Sequence, residues 1–403
     1  MISFEEAYQR VMSHTFSFGM EHMDLLRSTN RVLAEDIFAD RNFPPFNRST
    51  KDGIAINSKG LEGGNLRFPV SGIIPAGTPP PLLKDTGACY EIMTGAVVPE
   101  NADTIVMYED LDLVDGYAVL KSLPEVGKNI HQEGSDKKSG NLLLSKNRKI
   151  SGAEVGILAA VGKSQVLVHK NPVIATISTG NELVEINEIP EPHQIRQSNT
   201  ASLRSLLLEE NISAENLHVN DERGDILSSL ELALKKNDVL LLSGGVSKGK
   251  FDFIPESLDK LGVKKVFHRV LQRPGKPFWF GLQEQHNTVV FSFPGNPVST
   301  FANYHIYFRD WLYKSWGLDV PEFMLELGDS TVSHDKLTIF SNAKVQSENG
   351  IVKVFVIGGN GSGDLISLGK TDGFVRLDPG KGRLEKGTLV PFIPTRNLLN
   401  WNQ

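Results

Sequence analysis

The sequence predicts an α/β multidomain protein. It has a parallel-sheet α/β domain, a β domain inserted in the first half, a helical and extended linker domain around the insertion, and a C-terminal β domain. Three observations carry this. A chain of 403 residues is too long for one ordinary core. Between 172 and 312, short apolar runs alternate with helical periods, the rhythm of a parallel sheet covered on both faces. Residues 41–136, and those from 318 onward, are instead rich in turns and short β-like runs.

Taken in order, residues 3–12 place Phe4, Ala7, Tyr8, Val11 and Met12 at helical spacing, and "RVLAEDI" (31–37) opens a more extended region. Ile54-Ala55-Ile56, Phe68-Pro69-Val70 and Thr104–Met107 are short β runs, and "SGAEVGILAAVG" (151–162) returns to small-residue helix. Helical material on both sides of a β segment indicates an insertion. We expect a discontinuous linker and dimerisation domain at 1–45 and 137–170, the inserted β domain at 46–136, the α/β domain at 171–317 and the C-terminal β domain at 318–403. Within 171–317, "VIATIST" (173–179), "VLLLSGG" (239–245) and "TVVFSFPGNP" (288–297) read as buried strands. The helices are "SLRSLLLEE" (202–210), "DILSSLELALKK" (225–236), Ser257–Leu261 and "VSTFANYHIYFRDWL" (298–312).

Composition narrows the function. The first residues carry acid rather than Lys or Arg and no apolar run follows, which excludes a Sec-type signal peptide, and no stretch approaches the roughly 18 apolar residues of a membrane span. Cys89 is the single cysteine, so neither an internal disulfide nor a cysteine-rich zinc site forms, and the ten histidines make no HExxH pattern. A net charge of −6 argues against nucleic acid, and the basic trio Lys146, Arg148 and Lys149 reads as a solvated loop. A cytoplasmic enzyme or binding protein remains.

Ligands of open parallel sheets bind at the carboxyl ends of the strands. There the three strands end in "STGNEL" (178–183), "SGGVSKGKFD" (243–252) and "FPGNPVS" (293–299). Glycines in such loops let backbone N–H groups approach an anion, and a helix starting at Val298 adds the positive end of its dipole. Turn glycines occur in any βα loop, but three such loops on one edge, each pairing glycine with Ser or Thr, point to phosphate. Glu182 and Asp252 follow strand ends. A lone acid there is more often a helix cap, whereas two beside a phosphate cradle are what a magnesium ion requires. In "QRPGKPFWF" (272–280), Arg273 and Lys276 flank a Pro-Gly turn that presents both cations. Gly244, Gly249 and Lys250 also fit the first seven positions of a P-loop. That reading fails because Phe251 replaces the magnesium-binding hydroxyl and no helix-forming run follows at once.

Together these stretches resemble one family, the molybdopterin molybdenumtransferases, which include MoeA and the gephyrin E domain. "STGNEL" is similar to S-T-G-D-E-L, "LLSGGVSKGKFDF" to S-G-G-V-S-x-G-x-x-D, "RPGKPFWFG" to K-P-G-K-P-x-x-F-G and "FPGNPVS" to L-P-G-N-P-V-S. "FNRSTKDGIAI" (46–56), "MTGAVVPENADTIVMYED" (93–110) and "NIHQEGSDKKSG" (129–140) resemble the family's first β domain, and the segment around 361–390 its last. The likeness runs in order from about residue 3 to 394. It implies transfer of molybdate to adenylylated molybdopterin with Mg²⁺, giving molybdenum cofactor and AMP. It also implies a homodimer whose cleft lies between the α/β domain of one subunit and the inserted domain of the other, with a molybdopterin adenylyltransferase and molybdoenzymes as pathway partners.

Carried over by residue, the resemblance implies catalytic roles for Asp52, Thr94, Glu182, Asp252, Lys276 and Arg273. Glu182 and Asp252 would face Mg²⁺, Lys276 and Arg273 phosphate or molybdate, and Asp52 and Thr94 would orient substrate. Ser49, Gly180, Gly244, Gly245, Ser247, Pro294, Gly295, Asn296, Pro297, Ser299, Asp221 and Glu222 would line the substrate cleft, and Asp136 matches an acid near the domain hinge. The sequence departs from the family at Lys51, Ile54, Asn181, Glu222, Lys248 and Arg273, which keeps the anion-plus-metal logic but bears on ligand geometry. Two alternatives are a non-catalytic scaffold of the same fold and a molybdopterin adenylyltransferase, an enzyme class that the α/β module alone resembles. The first releases no AMP, and the second consumes ATP.

Overall fold

The computed structural model describes residues 1–246 and 253–396. Helix α1 (Phe4–Met12) starts where Ser3 Oγ accepts the Glu6 N–H at 3.1 Å, and it buries Phe4, Ala7 and Val11. These apolar residues join the same cluster as Trp311 and Leu312 of the α/β unit, so α1 is anchored there. The strand Met20–Asp24 pairs antiparallel with Gln165–His169. Beside this pair packs α2 (Gly152–Ala160), opened by a reciprocal cap between Ser151 and Glu154. Leu33, Ile37, Leu158, Val166 and Val168 form the apolar centre of this small unit.

Between these two halves lie β1 (Gly53–Ile56), β2 (Arg67–Ile74), β3 (Cys89–Ile92), β4 (Thr104–Met107), β5 (Leu111–Val114) and β6 (Tyr117–Leu120). They form one six-stranded sheet in the order β4-β1-β3-β2-β6-β5. Every residue of β1 is buried, and Ile54 and Ile56 pack with Phe68, Cys89 and Leu120.

The α/β unit contains β7 (Ile174–Thr179), β8 (Glu215–Val219), β9 (Val239–Ser243), β10 (Lys264–His268), β11 (Trp279–Gln283) and β12 (Thr288–Phe293). Their order is β8-β7-β9-β12-β11-β10, and the first four run parallel. The last two are antiparallel, so the sheet is mixed and not purely parallel. The extra strands follow from Phe278–Phe280, a buried aromatic run that extends the sheet edge. Ile174, Val239, Leu241, Val289 and Phe291 point to one cluster, and Ala175, Ile177, Leu240, Leu242 and Val290 to another. Helices α3 (Ser198–Glu209) and α6 (Pro297–Asn303) cover the first face, and α4 (Arg223–Lys236) and α5 (Ile254–Lys260) the second. Helix α6 continues through a π-helical turn (Tyr304–Phe308) into α7 (Arg309–Ser315).

The last unit comprises β13 (Phe323–Leu327), β14 (Thr338–Glu348), β15 (Ile351–Val356), β16 (Gly373–Leu377) and β17 (Leu389–Pro394). The order β14-β15-β13-β17-β16 closes through β14–β16 pairing into a barrel, which removes the exposed edges. Gln272–Arg273 runs parallel to β14 and ties the barrel to the α/β unit. The basic trio is only partly the solvated loop that its composition indicates. Lys149 Nζ lies 2.6 Å from Glu210 Oε2 and 3.3 Å from the Tyr313 hydroxyl, joining the linker unit to α3 and α7. Among the described residues, no helix is long and apolar enough to cross a membrane.

Candidate active site

A cleft of about 630 Å³ opens at the carboxyl ends of β7, β9 and β12. β7 brings Thr179, Gly180 and Glu182 to its wall, β9 brings Gly244 and Gly245, and β12 leads into Pro294–Pro297. The three glycine loops of the sequence therefore meet in one place. Gly244 and Gly245 have φ of +104° and +68°, so both need the freedom of glycine. A Cβ on Gly245 would sit 2.6 Å from Ile254 Cγ1 and 3.1 Å from Thr179 Oγ1. Gly295 is different. Its φ is not left-handed, and a Cβ there would meet only Gly244 Cα, at 3.7 Å.

A side chain outside the expected set holds two of these loops together. Asn199, in the first turn of α3, donates its amide to Ser243 Oγ at 2.8 Å and to the Gly295 carbonyl at 2.7 Å. Gln197, Ser198 and Thr200 line the cleft beside it, as does Arg196 from the strand Ile195–Arg196. The usable signal was "QSNT", a polar stretch that opens a helix at the sheet edge. Ser299 is buried inside α6 and does not line the cleft. Its neighbour Thr300 does, donating its hydroxyl to the Pro294 carbonyl at 2.6 Å. α6 begins at Pro297 with Asn296 as its cap, one residue earlier than the pattern indicates, and Thr300 in its first turn reaches back to the loop.

The C-terminal barrel also reaches this edge. Asn296 Nδ2 donates to Ser362 Oγ at 2.8 Å, the Val298 N–H donates to the Ser362 carbonyl at 3.1 Å, and Gly363 lines the cleft. The first free N–H of α6 is thus already taken, and the dipole end offers a ligand less than a bare helix start would. The Thr179 hydroxyl has no hydrogen-bond partner although it is buried against the cleft.

The charged candidates divide into three groups. Glu182 and Asp221 line the cleft, and the Asp221 N–H donates to Asn181 Oδ1 at 3.0 Å, so Asn181 keeps a loop-fixing role. Glu222 instead is an exposed residue at the start of α4, outside the cleft wall, because the following turn is already helical. Lys276 is exposed next to Pro277, a lining residue, while Arg273 faces a neighbouring cleft shared with Ser341, Asn342 and Ser362 of the barrel unit. Ser247 and Asp252 lie outside the described residues, as do Lys248, Gly249, Lys250 and Phe251 of the P-loop-like stretch. Among the described residues no group of three or more His, Cys, Asp or Glu could hold a metal ion. Two carboxylates facing an oxygen-lined cleft still match the donor chemistry of Mg²⁺, which needs only one or two plus phosphate and water.

Asp52 and Thr94 form a second locus on the inserted sheet. Asp52 Oδ1 accepts the Thr94 N–H at 2.6 Å and its hydroxyl at 2.8 Å. The backbone bond, then the hydroxyl bond, hold the Asp52 carboxyl below the usual carboxylate range. Ser49 is buried and not a surface for substrate. Its hydroxyl donates to the Lys51 carbonyl at 2.5 Å and fixes the turn that presents Asp52. Asp136 accepts from, or pairs with, His131 Nε2 at 2.8 Å. Among the described residues, none from 46–136 lines the cleft, so one chain does not bring the two loci together.

Comparisons with known proteins agree with this layout. Residues 2–162 match the model of the MoeA N-terminal region (domain I and II), 175–314 that of a probable molybdopterin binding domain, and 325–395 that of the MoeA C-terminal region (domain IV). A molybdopterin molybdenumtransferase of Synechocystis sp. is 36% identical over 396 residues, covering 97% of this chain and 99% of its own. One from Staphylococcus aureus is 30% identical over 407 residues, covering 98% and 96%. A crystal structure of a molybdopterin biosynthesis MoeA protein from Pyrococcus horikoshii superposes with a TM-score of 0.81 at 27% identity, covering 97% of this chain and 99% of that one. With matches across nearly its whole length and glycine loops gathered at one sheet edge, the chain belongs to the molybdopterin molybdenumtransferase family.

Proposed function

We propose that this chain inserts molybdenum into molybdopterin, taking adenylylated molybdopterin and molybdate as substrates and releasing AMP, in a homodimer that acts in the cytoplasm. The observation that carries the reading is the cleft itself. Glycine backbone from three strand ends and the Asn199 bridge surround a space that, among the described residues, is bounded by few cations. Such a site holds phosphoryl oxygens through backbone and hydroxyl groups, and lowers the barrier by positioning and charge stabilisation.

In this reading Gly180, Gly244 and Gly245 let the ligand approach the backbone, and Asn199 holds the loops of β9 and β12 at fixed separation. Glu182, with Asp252, would hold Mg²⁺, which when bound supplies Lewis-acid stabilisation of phosphoryl oxygens. Lys276 and Arg273 sit at the edge of the cleft and in the adjoining cleft, where they would neutralise phosphate or molybdate arriving from solvent. Asp52, kept ionised by Thr94, would complete the cleft of a partner subunit, since among the described residues no cleft-lining residue belongs to the inserted domain.

The test supplies adenylylated molybdopterin and molybdate with Mg²⁺ varied, and follows AMP and cofactor formation. AMP release dependent on molybdate and Mg²⁺ supports the reading. ATP consumption would identify an adenylyltransferase, and turnover of neither nucleotide a scaffold.

A further inference from the structure

Asn199 has a second end besides the one that joins two loops. Its side chain lines the cleft and is only partly buried. The Gly295 carbonyl accepts and cannot donate, so the amide nitrogen of Asn199, and not its oxygen, faces it. The same nitrogen donates to Ser243 Oγ at 2.8 Å, which engages both of its hydrogens. Ser243 and Thr300 extend the circuit. Thr300 gives its one hydrogen to the Pro294 carbonyl at 2.6 Å, so the contact of 3.4 Å between the two hydroxyls is donated by Ser243. Every donor therefore runs one way, and a flipped Asn199 would set its oxygen against the Gly295 carbonyl.

This orientation decides what Asn199 Oδ1 can do. Among the described residues it has no hydrogen-bond partner, and it is not sealed from solvent. It is an open acceptor on a side chain that lines the cleft, and what meets it must donate. Phosphoryl and molybdate oxygens would be repelled there. A metal ion belongs at the other end of the strand order, because the acids Glu182 and Asp221 stand in the loops after β7 and β8. Asn199 is tied instead to the loops after β9 and β12. An N–H on the edge of a flat heterocycle suits the acceptor, and Leu183, Ile195 and Val246 give the same cleft apolar wall for a ring.

On the reading of the cleft given above, we infer that Asn199 is a specificity-determining residue. Its Oδ1 accepts one N–H from the edge of a heterocyclic ring of the substrate, while its Nδ2 fixes the two loops. Adenylylated molybdopterin carries two such rings, the pterin and the adenine, and the chemistry they share is that N–H.

The test compares ligand pairs on the full chain by titration calorimetry without Mg²⁺, so that a metal contributes nothing to the comparison. One pair is AMP and purine riboside 5′-monophosphate, which lacks the exocyclic amine. The other is pterin and its 2-dimethylamino-3-methyl analogue, which has no N–H on that edge. The parent should prefer the donor-bearing member of one pair by about tenfold, as expected when one hydrogen bond is left unmade. Asn199→Ala should abolish that preference, and the pair that responds identifies the ring. A purely structural role would weaken both members alike and leave their ratio unchanged. Asn199→Asp keeps an acceptor at the position and should keep the preference, and it decides the matter if the alanine variant does not fold. No preference within either pair, a preference that survives Asn199→Ala, or its loss in Asn199→Asp would overturn the assignment. A parent that binds neither AMP nor pterin would overturn the reading of the cleft itself.

Discussion

Adding one methyl group to Gly245 or to Gly295 changes two loops of the same cleft, with opposite consequences. Gly245 has φ of +68°, where a side chain costs roughly 1–2 kcal/mol. Its new Cβ would also lie 2.6 Å from Ile254 Cγ1, a distance that forces α5 to shift. Overpacking of this kind costs about 1–3 kcal/mol, so Gly245→Ala should lose roughly 2–5 kcal/mol of local stability. Gly295→Ala has no such cost. Its Cβ would make one ordinary contact, 3.7 Å from Gly244 Cα, and stability should stay within about 0.5 kcal/mol of the parent. The methyl nevertheless fills the space between two loops to which we assign the ligand. A displacement of about 1 Å at a reacting group costs about a hundredfold in rate, which sets the expected loss in kcat/KM. Hydrogen exchange on β9 measures the first effect, and AMP release from adenylylated molybdopterin the second. A folded Gly295→Ala with parental kcat/KM would refute ligand approach at this loop. A Gly245→Ala with parental exchange rates would refute the strain argument.

Three further outcomes follow from the same geometry. Thr94→Val removes the hydroxyl bond to Asp52 but keeps the backbone bond, so the Asp52 pKa rises toward its ordinary value. Activity that needs the carboxylate is present above that pKa and lost as pH falls through it, so the acid limb of the pH–rate profile should move to higher pH. Neither Asp52→Asn nor Glu182→Gln should turn over alone, but co-expressed they should recover about a quarter of parental activity. Random pairing makes half of the dimers mixed, each with one intact composite cleft, and activity no higher than that of either variant alone would exclude that arrangement. Lys149→Met leaves Glu210, whose side chain is 10% exposed, with only the Tyr313 hydroxyl. Because Lys149 itself is 36% exposed, the loss should be modest, about 1–2 kcal/mol in urea unfolding, with parental catalysis.

What could be read from the sequence follows from how far each signal reaches along the chain. β7, β9 and β12 were legible because strands buried on both faces show as unbroken apolar runs. Their loops were legible because left-handed backbone demands glycine at Gly244 and Gly245. β10 was hidden because its Lys264 and Lys265 are exposed at the sheet edge and break the apolar run that marks a central strand. The start of α3 was hidden for another reason. Ser198, Asn199 and Thr200 carry no apolar period, so the reading began at Ser202 and missed the amide that joins two loops. Ser362 reaches Asn296 across 66 residues, and no local pattern reports a contact of that kind. The division of the "RPGK" turn is likewise tertiary. Arg273 pairs with β14 in the barrel while Lys276, three residues on, stays in solvent beside the cleft. Chemistry that depends on residue type was therefore visible in the chain, whereas chemistry that depends on which side of a turn a group faces had to wait for the fold. The same distinction explains Asp52. Its pairing with Thr94 is local to one sheet, whereas the part proposed for it, completing the cleft of a partner subunit, depends on a second copy of the chain.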